Sequence, residues 1–157
     1  MEINIRKATP RDYQKLLILF EEVDKLHREQ HPHVFKKPQK PSRSRDFLFK
    51  QEDAVIFVAE TEKKEPVGLI HIFIKTSKPI PILVKRRYAL IDTLVVSKKH
   101  RRLGIGKKLA DQADEWIKSQ GIKQVELSVY QFNRPAINFY RKRGYKVTSY
   151  KMEENLN

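Results

Sequence analysis

The chain has 157 residues, of which 33 are lysine or arginine and 19 are aspartate or glutamate, so its formal net charge is +14. This length suits one domain with a sizeable core, and we expect a single domain over residues 1–157. The chain has no cysteine, which excludes disulfides, a thiolate nucleophile and an acyl-cysteine intermediate. It also has no long apolar run and no signal-peptide pattern, so we expect a cytoplasmic protein without a membrane partner.

Apolar residues recur with periods of two and of about 3.6 along the chain, and turn residues separate the periodic segments. In the first third of the chain, the pattern predicts a strand at residues 3–5, a helix that starts at Thr9–Asp12, a loop from His27 to Ser44 and a short helix from Asp46 to Gln51. Three strands follow, from Ala54 to Glu60, from Val67 to Lys75 and from Tyr88 to Val96. The last third is predicted to contain a helix from Ile105, a strand from Gln124 to Tyr130, a helix after Asn133 and a strand from Tyr145 to Lys151. This order predicts a mixed α/β fold.

A short basic loop joins the strand that ends at Val96 to the helix that starts at Ile105, and its residues 101–106 read Arg-Arg-Leu-Gly-Ile-Gly. The first backbone N–H groups of a helix have no intrahelical partner and lie at the positive end of its dipole. Gly104 and Gly106 have no Cβ, so a bulky anion can approach the main chain closely. The pattern is typical of a diphosphate site, although an ordinary basic loop before a helix has the same composition.

A second motif follows, in which residues 133–140 read Asn-Arg-Pro-Ala-Ile-Asn-Phe-Tyr and Gly144 and Tyr145 come soon after. Asn133 is a favourable N-cap, Pro135 is tolerated in the first helical turn, and Gly144 suits the position after the last turn. The segment therefore predicts a short, well-capped helix.

Together the two motifs resemble the cofactor motifs of the GNAT superfamily of acetyl-CoA-dependent N-acetyltransferases. The resemblance implies a central, mixed, mostly antiparallel sheet of six to seven strands flanked by about four helices. It implies acetyl-CoA as co-substrate, with backbone groups near the end of the strand holding the pantetheine arm and the glycine loop holding the diphosphate. The residues it assigns to the cofactor are Leu94, Val95, Val96, Arg101, Arg102, Leu103, Gly104, Ile105, Gly106, Lys107, Asn133, Ala136, Tyr140 and Arg143.

The resemblance further implies direct acetyl transfer to a primary amine within a ternary complex, with Tyr140 as the general acid for the departing sulfur. The base is open between Asp92, Glu126 and water. Ribosomal-protein alanine N-acetyltransferases carry a catalytic glutamate five residues before the motif asparagine, and here that position is Ser128. We therefore expect a small-molecule amine acceptor, with a protein amine as the alternative.

The loop with three histidines is the expected acceptor side, and His31 and Phe35 are the candidate acceptor-binding residues. Pro32 interrupts the histidines and no cysteine accompanies them, so we expect no metal site. Residues 85–108 contain nine Lys or Arg and a single acid, which suits a phosphate-bearing cofactor. A nucleic-acid-binding module is a distant alternative, since it leaves the spacing of both motifs unexplained. The sequence is compatible with a homodimer.

Overall fold

The structure, a computed structural model, describes residues 1–157. It contains two compact units, residues 1–127 and residues 128–157. The first unit holds the sheet and three helices, and the second unit holds one helix. None of these helices is long and apolar enough to cross a lipid bilayer.

The sheet has five strands, which lie side by side in the order in which they occur along the chain. The strands are β1 (Ile3–Lys7), β2 (Ala54–Thr61), β3 (Pro66–Thr76), β4 (Arg87–Val96) and β5 (Val125–Glu126). The first four pair antiparallel, and β5 pairs parallel to β4. The prediction of a mixed, mostly antiparallel sheet is confirmed, but the expected count of six to seven strands is too high.

The difference in strand count arises at the carboxyl end of the chain. The strand predicted from Gln124 to Tyr130 shrinks to β5, and the strand predicted from Tyr145 to Lys151 is absent. Val147 is 54% exposed and Tyr150 is 84% exposed, so the apolar residues of that segment bury little surface. Strand propensity reflects packing against neighbours and does not by itself form a ladder.

The four helices are α1 (Tyr13–Gln30), α2 (Arg45–Phe49), α3 (Ile105–Ser119) and α4 (Arg134–Lys142). A 3-10 turn over Pro10–Asp12 precedes α1, and there the Asp12 carboxylate accepts the Thr9 N–H at 2.8 Å. The predicted loop from His27 was placed too early, because α1 continues to Gln30 and ends only at His31. His31 precedes a proline, and that position disfavours helical backbone.

The helices of the first unit cover both faces of the sheet. Leu69 of β3 is fully buried in a cluster with Leu16 and Phe20 of α1 and Leu48 of α2. The adjacent residue, Gly68, meets α3 on the other face, since a Cβ there would lie 3.1 Å from Leu109 Cδ1. The buried apolar stripe of α3 packs on the sheet at this close contact. This packing positions the start of α3 relative to the end of β4.

Candidate active site

The loop between β4 and α3 is held at its start by Glu22, a residue of α1. The Glu22 carboxylate accepts the Lys98 N–H at 3.0 Å and lies 3.7 Å from the Arg101 guanidinium. Arg101 Nε in turn donates to the Val96 carbonyl at 3.1 Å. The Arg101 side chain is therefore folded back onto the end of β4 and shapes the loop.

The remainder of the loop leaves its backbone N–H groups without acceptors. The N–H groups of residues 102–107 donate no hydrogen bond within the chain, and the first bond of α3 runs from Lys108 to the Gly104 carbonyl at 3.1 Å. Arg102 (φ 64°) and Gly104 (φ 79°) both have left-handed backbone. A left-handed residue beside a helix N-terminus gathers successive N–H groups into a concave anion site.

The surroundings of this loop leave room for a ligand and favour a negative one. A Cβ on Gly104 would meet no atom within 4 Å. Lys107 pairs with Asp111 at 2.8 Å, whereas Lys98, Lys99, Arg102 and Lys108 are exposed. The buried side chain of Ile105 anchors the helix start beneath the loop. The loop thus combines free N–H donors, open space and surplus positive charge.

The edge of β4 that faces β5 is open over most of its length. The β5 strand pairs only with Ala89 and Leu90, so no strand pairs with residues 91–96 on that edge. The side chain of Val95 is buried in the core, and Leu94 and Val96 are half-buried. Leu94 and Val96, whose main-chain groups the resemblance assigns to the pantetheine arm, thus lie on the unpaired stretch of β4.

A β-bulge sets the orientation of Asp92. The β3–β4 register passes from His71 opposite Thr93 to Ile72 opposite Ile91, so Asp92 has no partner across the ladder. Asp92 is exposed, and its Oδ2 accepts a hydrogen bond from the Thr93 hydroxyl at 3.3 Å. Bulges commonly reorient a side chain next to a functional site. Asp92 is thus free to meet a ligand, and the sequence pattern did not indicate the bulge.

The other base candidate in the first unit is already engaged. Glu126 lies on β5, and its Oε2 accepts from the Arg86 guanidinium at 2.6 Å. Its carboxylate is therefore occupied by a cation, whereas Asp92 makes no ion pair. This contact favours Asp92 over Glu126.

In the second unit, α4 has the caps that the sequence predicts. The Asn133 side chain accepts the Ala136 N–H at 3.4 Å. At the other end, Gly144 is left-handed (φ 100°), and the Gly144 and Tyr145 N–H groups donate to the Arg141 and Tyr140 carbonyls, each at 3.0 Å. This pair of bonds is a Schellman motif, and Arg143 occupies the C-cap.

The phenol of Tyr140 is the most buried polar group of α4. Its ring packs edge-on against Tyr145 and Phe139, with centroid distances of 5.2 and 5.3 Å. Burial raises the pKa of Tyr140 well above its usual value, and the neighbouring Tyr145 adds to the rise. The hydroxyl therefore keeps its proton at neutral pH. Ser128, which stands where the glutamate of the alanine N-acetyltransferases would lie, is exposed.

The two candidate acceptor residues lie just beyond α1, where His31 ends the helix. The Phe35 N–H donates to the His31 carbonyl at 2.9 Å, and the Phe35 ring stacks on His27 at 5.1 Å. Both residues are half-buried. They form a turn at the start of the predicted loop, and residues 31–44 contain no helix or strand.

A loop of this kind is consistent with several protein families that bind nucleotide-containing cofactors at a helix N-terminus. Comparison with known proteins identifies one of these families. Residues 20–145 match the sequence model of the acetyltransferase (GNAT) family. The chain belongs to this family. Its resemblance to the superfamily, stated above from two motifs, is thereby confirmed.

Individual relatives agree with the assignment. The chain is 36% identical over 102 residues to an N-alpha-acetyltransferase of Sulfurisphaera tokodaii, which covers 62% of this chain and 59% of that protein. It is 31% identical over 142 residues to an uncharacterised N-acetyltransferase of Methanocaldococcus jannaschii, covering 90% of this chain and 60% of that protein. The chain therefore spans about three fifths of the length of these two relatives.

Among solved structures, the BH1408 protein of Bacillus halodurans has the same fold. Its tetramutant superposes with a TM-score of 0.90 at 24% identity, over 98% of this chain and 99% of that one. At this identity the likeness establishes the fold and leaves the substrate open.

Glu22 is the residue near the loop whose role the sequence did not indicate. It is 76 residues from Lys98 along the chain, and no local pattern connects the two positions. A carboxylate on the first helix that clamps a distant loop can be recognised only from the tertiary structure.

Proposed function

We propose that this protein is an N-acetyltransferase that transfers the acetyl group of acetyl-CoA to a primary amine, directly and within a ternary complex. The observation that carries the proposal is the row of unpaired N–H groups at residues 102–107, which is open to an anion and surrounded by lysine and arginine. Membership of the GNAT family supports the same chemistry.

The free donors, the left-handed backbone at Arg102 and Gly104 and the open space support a diphosphate-binding role for residues 102–107. The unpaired edge of β4 supports backbone contacts from Leu94 and Val96 to an extended arm. Asn133, Ala136 and Arg143 remain cofactor candidates by family resemblance. When bound, acetyl-CoA supplies the acetyl group as an activated thioester, and no metal is required for that role.

The acid and base roles are proposed for one residue in each unit. Tyr140 is proposed as the general acid by family resemblance, and its buried phenol carries the proton at neutral pH. Asp92 is proposed as the base because it is exposed at the bulge and makes no ion pair. Since the chain has no cysteine, an acyl-cysteine intermediate is excluded, and we propose that the amine attacks the thioester directly.

The first candidate acceptor is a small-molecule amine, because Ser128 cannot supply the carboxylate that the ribosomal-protein enzymes place at that position. The second candidate is the α-amine of a protein, which the name of the Sulfurisphaera tokodaii relative favours. We propose His31 and Phe35 as the acceptor-binding residues in either case.

A panel of amines assayed for CoA-thiol release tests the proposal. It should contain aminoglycosides, polyamines and amino acids on one side, and peptides with free N-termini on the other. Each peptide is matched by the same sequence with a blocked N-terminus. Turnover of small amines above the peptides supports the first candidate, and turnover that requires a free peptide N-terminus supports the second. If calorimetry also detects no binding of acetyl-CoA, the assignment itself is wrong.

A further inference from the structure

The loop that joins β3 to β4, residues 77–86, presents aliphatic side chains to solvent. Ile82 is 89% exposed, Val84 is 79% exposed, and Leu83 and Ile80 are 46% and 44% exposed. These residues are nearly consecutive, so they form one apolar tip at one end of the sheet. Contiguous exposed apolar surface of this kind marks an interaction site more often than a solvated loop.

The apolar tip is held in place by hydrogen bonds at its base. The Ser77 N–H donates to the Arg86 carbonyl at 2.9 Å. The Ser77 hydroxyl donates to the Val84 carbonyl at 3.0 Å and accepts the Arg86 N–H at 3.0 Å. Pro79 and Pro81 restrict the backbone between these points. The loop therefore has a closed neck that keeps its aliphatic residues outside the core.

Residues 66–91, which contain the tip, carry positive charge only, and the nearby acids at this end of the sheet are Glu52 and Asp53, beside Lys75, and Glu126. No aspartate or glutamate occurs between Glu65 and Asp92, whereas five cations do: Lys75, Lys78, Lys85, Arg86 and Arg87. Arg86 is neutralised by Glu126, and Lys75 lies 5.0 Å from the centroid of the Phe73 ring. The remaining cations flank the apolar tip. Charge complementarity therefore points to an anionic partner.

We propose that the β3–β4 loop docks the protein onto the surface of an anionic lipid membrane. The aliphatic tip enters the interfacial layer, and the flanking lysines and Arg87 contact the headgroups. Such peripheral contact needs no helix that crosses the bilayer, and it departs from the expectation, based on the lack of a long apolar run, that the protein has no membrane partner. A deformable lipid layer suits side chains as exposed as Ile82 and Val84, which form no groove for a partner's side chain. Pairing of the loop with its counterpart in a second copy would oppose like charges.

The absence of cysteine makes a site-specific test direct. The Ile82→Cys variant is labelled with an environment-sensitive fluorophore and titrated with phosphatidylglycerol–phosphatidylcholine vesicles or with phosphatidylcholine vesicles alone. The control is Ile18→Cys, because Ile18 on α1 is also well exposed, at 68%. We expect a blue shift at position 82 with anionic vesicles, a much weaker one with neutral vesicles, and none at position 18.

Three further variants separate the loop from the general positive charge of the protein. The triple variant Ile80→Ser, Ile82→Ser, Val84→Ser keeps all charges and should weaken vesicle binding by at least about tenfold. Lys63→Glu, in the turn at the other end of the β2–β3 hairpin, should weaken it less than Lys85→Glu does. The proposal is overturned if the triple variant binds as the wild type does, if both labelled positions shift equally, or if position 82 shifts with protein concentration in the absence of lipid. None of these measurements depends on acetyl transfer.

Discussion

His71 is a histidine buried without a hydrogen-bond partner, and it makes the stability of the protein depend on pH. It lies in the middle of β3, is fully buried, and has no acceptor or donor within the chain for either ring nitrogen. The rings of Phe20, Phe47 and Phe73 surround it, with centroid distances of 6.4, 5.8 and 4.4 Å. An imidazolium ion in such a cage would lose its hydration without compensation.

The pKa shift gives the size of the effect. Burial lowers the pKa of His71 from 6.5 to about 4, with Asp92 opposing the shift and Arg43 adding to it. The unfolded chain therefore binds a proton at a higher pH than the folded chain does. The contribution of this site to the free energy of unfolding is complete above pH 6.5 and is lost as the pH falls toward 4. The full loss is roughly 3 kcal/mol, of which about 2 kcal/mol occurs between pH 7.5 and pH 5.

The experiment compares the wild type with His71→Leu by urea unfolding at pH 7.5 and pH 5. The fluorescence of Trp116, the only tryptophan, reports on the first unit. Burial also lowers the pKa of His27, which contributes in the same direction, so the difference between the two proteins isolates His71. We expect the variant to be at least as stable at pH 7.5, because leucine leaves no unpaired polar group.

Between pH 7.5 and pH 5, we expect the free energy of unfolding to fall by about 2 kcal/mol less in His71→Leu than in the wild type. Equal slopes for the two proteins would refute the reasoning. A histidine proton resonance that titrates near pH 6.5 and disappears in His71→Leu would refute it independently of stability.

Four further predictions concern the candidate active site. Gly106→Val should weaken acetyl-CoA binding severely in calorimetry while the circular dichroism spectrum stays unchanged, because a branched side chain obstructs the approach to the loop backbone. Tyr140→Phe should lower the transfer rate by roughly 10²-fold or more and leave acetyl-CoA affinity intact, since only the proton donor is lost. Asp92→Asn should lower the rate mostly at the acidic end of the pH profile, where the acceptor amine is protonated. Replacing His31 and Phe35 with alanine should raise the KM for the acceptor and spare acetyl-CoA binding.

Matched controls accompany these variants. Tyr150→Phe removes an exposed phenol of the second unit and should leave the rate unchanged. Glu126→Gln removes the carboxylate that pairs with Arg86 and should alter the pH profile less than Asp92→Asn does. A normal rate for Tyr140→Phe would make that residue structural. Unchanged acetyl-CoA affinity in Gly106→Val would remove the phosphate-binding argument, and equal losses for both substrates in the loop variant would place the acceptor site elsewhere.

The local elements of this protein could be predicted from its sequence. Asn133 and Gly144 cap α4 as expected, and α3 starts directly after Gly104. These features depend on residues within one or two turns of each other, where backbone preferences and capping bonds act. The family likewise follows from local motifs, because the spacing of glycines and of Asn133 and Tyr140 lies within single segments.

Other features of the site depended on segments that meet only in the folded chain. The sequence patterns indicated neither the Glu22 clamp on the loop, nor the bulge that exposes Asp92, nor the pair between Arg86 and Glu126. Each results from the register and packing of elements that are tens of residues apart. A strand likewise needs a partner in the right register, so the apolar alternation of residues 145–151 did not produce one. Periodicity specifies which face of an element is apolar, but the contacts made by its polar groups are decided by which neighbour packs against it.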